Sequence, residues 1–247
     1  MISGKSFADR CTWVFDPRYP DRPRFSFAAA QTGDWVFVNG DYLAQFRALA
    51  PLFSPKQFIV IVHNTDRPFG LAQLGMLLPL TRHIFAINTT IEHPRLTTIP
   101  LGFVDRQLPF LQSFVRPDVP RDIEIYANFT QTTNDDKRRA CLTVFTGDPR
   151  VTWRTGLSVP EYYADLCRST FVLCPEGTGI DTHRVYEALL CGATPVVLRN
   201  SLSPLYERLP VCLVNAWTDP LSVPTTAVHT DPAFFLSPQS TCQLHSK

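Results

Sequence analysis

The stretch Phe171–Leu198, FVLCPEGTGIDTHRVYEALLCGATPVVL, decides the fold. An apolar run stops at Pro175, and a loop with Gly177 and Gly179 turns the chain. Asp181 or Thr182 is placed to cap a helix, and Gly192 ends that helix before the apolar run Thr194–Leu198. The pattern is one strand-loop-helix-strand unit. Its loop, Gly177-Thr178-Gly179 through Thr182, sits where backbone N–H groups and the positive end of a helix dipole converge, which suits a phosphate. His183 and Arg184 fall in the first helical turn, where a guanidinium adds a bidentate clamp on the same anion. Glu187 shares their helix face, about 4.5 Å further along the axis than Arg184. That offset matches a nucleotide, with the diphosphate at the helix start and the ribose diol on a carboxylate one turn later. The same spacing also describes an ordinary crossover whose Arg184 and Glu187 form a surface ion pair, since a G-x-G loop alone is a weak signal.

Outward from this unit, apolar runs alternate with helix-compatible stretches. Asp34–Val38 is followed by Tyr42–Ala50, Phe58–Val62 by Leu71–Leu78, and then comes His83–Asn88. A Pro- and charge-rich stretch, RPDVPR at residues 116–121, reads as a hinge. The alternation restarts with Ile123–Ala127, a helix from Asp135, a helix at Pro160–Cys167 and the strand Thr170–Leu173. An α/β protein of two lobes is expected, residues 1–117 and 121–216, with an irregular tail over 217–247 that docks through Phe234–Leu236. The 247 residues leave room for two small lobes. With 22 Pro against 11 Gly, long uninterrupted helices are not expected.

Lys and Arg number 23 against 22 Asp and Glu, a net charge of +1, which gives no field to draw the chain to nucleic acid. No apolar window is long enough to span a bilayer and Met1–Arg10 lacks a signal-peptide core, so a cytoplasmic location is expected. The sequons at Asn88 and Asn128 are then expected to stay unmodified. Seven cysteines (11, 141, 167, 174, 191, 212 and 242) never form a CxxC pair and read as reduced core residues.

The stretch Tyr162–Leu198, with its D-T-H-R helix start, Y-E-A-L and G-x-x-P-V-V, resembles the C-terminal signature of exostosin-like glycosyltransferases. Val62–Phe69 (VHNTDRPF), Ile84–Phe103 and Ile125–Arg139 are similar to weaker segments of that family, including short relatives in large DNA viruses. The resemblance implies a GT-B fold, two Rossmann-like lobes facing a cleft, with the acceptor on the first lobe and a nucleotide-sugar on the second. It implies inverting transfer from a UDP-sugar, UDP-xylose among the compatible donors, to a hydroxyl of a glycan or glycoprotein. No cofactor or metal is expected, in line with a sequence that contains no D-x-D triplet. For a viral chain the compartment is the host cytoplasm, and a targeting segment outside this chain would move it to the Golgi lumen.

Arg138 follows an Asn134 cap with Asp135 and Asp136 in the first turn, and is the candidate to reach the diphosphate, against a solvated basic face. Trp153 is the candidate wall of the base pocket, against a plain core role. Asp66 and His63 stand just beyond an apolar strand, where α/β sheets place ligands, and Asp66 is the first choice of base, His63 the second. An Asx turn before Pro68 explains Asp66 equally well. Glu92 and His93, placed in a loop at the cleft-facing end of a strand, are candidate acceptor contacts. Two other classes stand beside the transferase: a non-catalytic partner module that binds nucleotide-sugar or glycan, and a cysteine hydrolase built on Cys174 or Cys191 with His183.

Overall fold

In the computed structural model, residues 1–51, 55–229 and 231–236 are described, and Cys242 and the end of the expected tail lie outside them. The chain forms two compact units. Met1–Leu101 and residues 231–236 make the first, and Gly102–His229 the second.

The first unit carries β1 (Trp13–Phe15), β2 (Trp35–Asn39), β3 (Phe58–His63), β4 (Thr81–Ala86) and β5 (Leu96–Thr98), all parallel, in the order β1-β2-β3-β4-β5. Its helices are α1 (Gly4–Ala8), α2 (Leu43–Ala48) and α3 (Leu71–Leu77). A parallel sheet buried on both faces needs near-continuous apolar strands, and β2 to β4 supply them. Val36, Val38, Val60, Val62, Ile84 and Ala86 pack one face against Phe46 and Leu74. The alternate residues Phe37, Ile61 and Phe85 are fully buried on the other face.

The second unit carries α4 (Leu108–Ser113), β6 (Ile123–Ala127), α5 (Asp135–Phe145), β7 (Val151–Trp153), α6 (Val159–Arg168), β8 (Ser169–Leu173), α7 (His183–Leu190), β9 (Thr194–Leu198), α8 (Ser203–Tyr206) and β10 (Cys212–Val214). Its strands are again all parallel, in the order β10-β9-β8-β6-β7. In chain order within the unit this is 2-1-3-4-5, a doubly wound sheet. Its switch point, where connections leave in opposite directions, falls between β6 and β8, and such sheets bind ligands beyond the strand ends at that point.

The stretch expected to be a hinge is tied into the second unit. Arg121 donates from Nη2 to Cys191 O at 3.1 Å and from Nη1 to Ser169 O, so its guanidinium joins the end of α7 to the start of β8. The first part of the expected tail is also packed, with Trp217 in the second unit's core beside Phe145. Beyond it α9 (Pro232–Phe235) belongs to the first unit, where Phe235 is fully buried and Asp231 accepts from Arg10 at 3.1 Å.

Helix α7 ends as its glycine demands. Ala193 N donates to Ala188 O and Gly192 N to Leu189 O, a Schellman pair around Gly192 at φ +71°. A Cβ there would approach Arg116 Nη1 to 2.3 Å and Arg121 Nη2 to 2.8 Å. Gly192→Ala is therefore expected to lose about 1–3 kcal/mol of unfolding free energy through left-handed strain and a disturbed Arg121 cap. Urea unfolding checks this, and an unchanged midpoint would show that the cap is dispensable.

Candidate functional site

The site grows from the switch point of the second unit. The loop after β6 carries Phe129, and the loop after β8 carries Pro175–Thr182. Asn134, at the N-cap of α5, donates from Nδ2 to Gly177 O at 2.8 Å and so ties the two loops together. Arg138, one turn into α5, crosses the same gap, with Nε donating to Glu176 O at 3.0 Å and Nη1 to Thr130 O. A Cβ on Gly177 would stand 3.1 Å from Arg138 Nη2, so the glycine gives the guanidinium its room. Arg138 is 6% exposed, which replaces the solvated basic face with a buried cation. Burial, and then the charge of Arg184, pull its pKa below the usual guanidinium range.

Arg184 comes to the same place from α7. The guanidinium carbons of Arg138 and Arg184 lie 5.6 and 5.8 Å from the centre of the Phe129 ring, and Trp153 meets that ring edge-on at 5.5 Å. Two cations thus share one phenyl ring with no carboxylate paired to either among the described residues. Arg184 Nε and Thr182 Oγ1 are both buried and without a hydrogen-bond partner among the described residues. Thr182 occupies the N-cap of α7 yet makes no side-chain cap. Thr182 N is taken by Asp181 Oδ1 and Val185 N by Thr182 O, so among the described residues the N–H groups of His183 and Arg184 are the ones left for an external acceptor.

The loop itself is anchored from behind. Asp181, expected as an alternative cap, is buried and accepts from Thr182 N at 2.8 Å, Tyr206 OH at 2.8 Å and Tyr186 OH at 2.5 Å. Gly177 N donates to Gly179 O, and Thr178 is exposed between them. His183 is steered by its Nδ1, which donates to Gly102 O at 2.6 Å. Glu187 is not half of a surface pair with Arg184. It is 6% exposed and its Oε2 accepts from Tyr162 OH at 2.8 Å. Burial, with the Glu187 charge next, raises the Tyr162 phenol well above its ordinary value, so it stays a donor. Phe129 and Tyr162 were not singled out in the sequence, because an aromatic next to a strand end carries no mark of what it touches.

Neither cysteine is a nucleophile. Cys174 is 2% exposed, its thiol donates to Val172 O, and burial pushes its pKa up to about 12. Cys191 is fully buried with its thiol likewise pushed up by burial. A thiolate is required for attack, so the hydrolase reading falls.

In the first unit, Asp66 stands beyond the C-terminal end of β3, exposed, with no hydrogen bond or ion pair among the described residues. His63 is its opposite: 1% exposed, between the rings of Phe7 and Phe37, with Nδ1 2.9 Å from Asn64 Oδ1 and Nε2 3.3 Å from Pro100 O. A ring so enclosed holds the fold and does not meet a substrate. Asn88 is 1% exposed and donates to Thr65 O, so its sequon is closed to modification.

Glu92 and His93 are not at the same sheet edge as Asp66. Because β4 and β5 are parallel and Leu96 pairs with Ile84, the chain between them must double back from the C-terminal edge to the middle of β4. Arg95, two residues past His93, already donates to Thr81 O at the start of β4, at 2.8 Å. Among the described residues no group of three His, Cys, Asp or Glu is arranged to hold a metal ion, and no helix is long and apolar enough to cross a membrane.

Residues 125–220 match the family described as the RXYLT1 C-terminal domain. A probable glucuronosyltransferase of Oryza sativa subsp. japonica is 31% identical over 107 residues, covering 39% of this chain and 25% of that protein. A second probable glucuronosyltransferase from the same plant is 28% identical over 121 residues, 44% of this chain and 29% of the relative. The chain thus matches between a quarter and a third of the length of these relatives.

Proposed function

Starting from the likeness of this chain to the exostosin-like glycosyltransferase family, we propose that it transfers a sugar from a UDP-type nucleotide-sugar to a hydroxyl of a glycan acceptor, with inversion and without a metal ion. The observation that carries the reading is the convergence of Arg138, Arg184 and the uncapped start of α7 at the β6/β8 switch point. A site with two unpaired cations and an open helix N-terminus calls for a dianion, and a nucleoside diphosphate supplies one.

In this reading the two units are the lobes of a GT-B enzyme, with the donor on the second and the acceptor on the first. The diphosphate is held by the N–H groups of Thr178, Gly179 and His183, with Gly177 and Thr182 shaping the loop, and by the guanidinium of Arg184. Arg138 sets the loop and adds charge. Glu187, already oriented by Tyr162, accepts the ribose hydroxyls, and Trp153 with Phe129 bounds the base. Asp66 takes the proton of the acceptor hydroxyl as its oxygen bonds to the anomeric carbon. The bond from that carbon to the phosphate oxygen breaks on the opposite face, and the charge left on UDP falls on the guanidiniums and helix start. These cationic groups do what a divalent ion does in D-x-D enzymes.

The test is thermal stability with UDP, in magnesium and in chelator. Equal stabilisation is expected, about 2.7 kcal/mol at a hundredfold excess over the dissociation constant. Stabilisation that requires the divalent ion would overturn the metal-free reading, and none under either condition would remove the donor site.

A further inference from the structure

The first unit contains a pocket of about 110 Å³ at the C-terminal edge of its sheet, between the segments that follow β2 and β3. Val62, Phe69, Met76 and Ile87 give it an apolar floor, while Asp41, Thr65, Arg67 and Gln73 stand around it with polar groups. Asp41, Thr65 and Gln73 are tied by hydrogen bonds before any ligand arrives, while the Arg67 side chain is 75% exposed. Asp41 Oδ1 accepts from Thr65 OH at 2.6 Å and lies 3.5 Å from Arg67 Nε, and Arg67 N donates to Thr65 Oγ1 at 3.1 Å. Gln73 spends its amide oxygen on Gly70 N, so the amide nitrogen is what it offers a ligand. Asp41 Oδ2 has no partner among the described residues.

An apolar floor beside one carboxylate oxygen, one guanidinium and one amide donor matches a ring with a C–H face and hydroxyls along its edge. The geometry points to a neutral pyranose as the occupant. Resting on the transferase reading, this is the terminal residue of the acceptor glycan. The pocket is small, about 110 Å³, which leaves room for no more than one sugar ring and keeps the rest of a chain in solvent. Charge selects against acidic sugars. Arg67 is matched by Asp41, and Asp66, the residue between Thr65 and Arg67, adds an unpaired negative charge at the same loop.

Saturation-transfer NMR on the full chain, with and without UDP, tests this with methyl β-D-galactopyranoside, methyl β-D-xylopyranoside and methyl α-L-rhamnopyranoside against methyl β-D-glucuronide. At least one neutral glycoside is expected to show saturation on ring C–H protons, and the glucuronide none. Ala44 is exposed and borders the pocket, so Ala44→Trp fills it from the solvent side and should cut the signal by about fivefold or more, as should Asp41→Asn. Silence from all neutral glycosides, a signal unmoved by Ala44→Trp, or an equal signal from the glucuronide overturns the assignment. The UDP-dependent thermal shift of each variant reports folding and the donor site separately. A chain that binds glycoside but not UDP therefore refutes the donor reading, and one that binds UDP but no glycoside refutes only this pocket.

Discussion

Asp66→Asn is expected to leave UDP affinity nearly unchanged and to lower the rate of sugar transfer by roughly 10²- to 10⁴-fold. The side chain is exposed at the end of β3 and nothing among the described residues depends on it for a hydrogen bond or ion pair. Asparagine keeps its size and its capacity for an Asx turn before Pro68, so the loop survives while the proton acceptor is lost. Turnover measured as UDP release, alongside UDP affinity by calorimetry, separates the outcomes. Lost transfer with intact binding assigns the base. Loss of both makes Asp66 a structural turn, and retained transfer removes it from the chemistry. His63 offers no substitute, because its ring is enclosed by Phe7, Phe37, Asn64 and Pro100, and its replacement is expected to unfold the first unit before it touches catalysis.

Arg184→Ala is expected to weaken UDP binding about a hundredfold, near 2.7 kcal/mol, within the range for hydrogen bonds to a charged partner. Its Nε is buried without a partner, so its removal from the unliganded protein breaks no hydrogen bond at that atom and relieves repulsion against Arg138. The apo melting temperature should therefore hold or rise as affinity falls, a combination that a structural arginine does not give. Arg184→Lys, which keeps charge but loses the planar fork, should recover only part of the loss. Arg138→Ala should behave differently, lowering affinity and stability together, since that guanidinium also holds Glu176 O and Thr130 O. Tight UDP binding by Arg184→Ala would refute the diphosphate site.

How much of this was legible in the sequence differs by element. Phe171–Leu198 announced a strand, a glycine loop, a capped helix and a second strand, and β8, α7 and β9 lie there, because turn chemistry and apolar runs are local properties. The short strands β1, β5 and β10 carried no such signal. Each has three residues and is a strand only because a neighbouring edge pairs with it.

For the site, sequence alone determined that Arg184 and Glu187 share a helix face, since 3.6 residues per turn require it. It could not say that Glu187 turns to Tyr162 instead of Arg184, a contact made between α6 and α7. Likewise the helix start at Asp135 was local, whereas the meeting of Arg138, Arg184, Trp153 and Phe129 depends on strand order, which sets β6 between β7 and β8. The same cause moved Glu92 and His93 away from Asp66. The loop that holds them was visible as a loop, but only the parallel pairing of β4 with β5 decides which sheet edge it reaches. Periodicity and turn residues act within a few positions along the chain, while a sheet joins positions tens of residues apart, and a binding site assembled at strand ends belongs to the second kind of information.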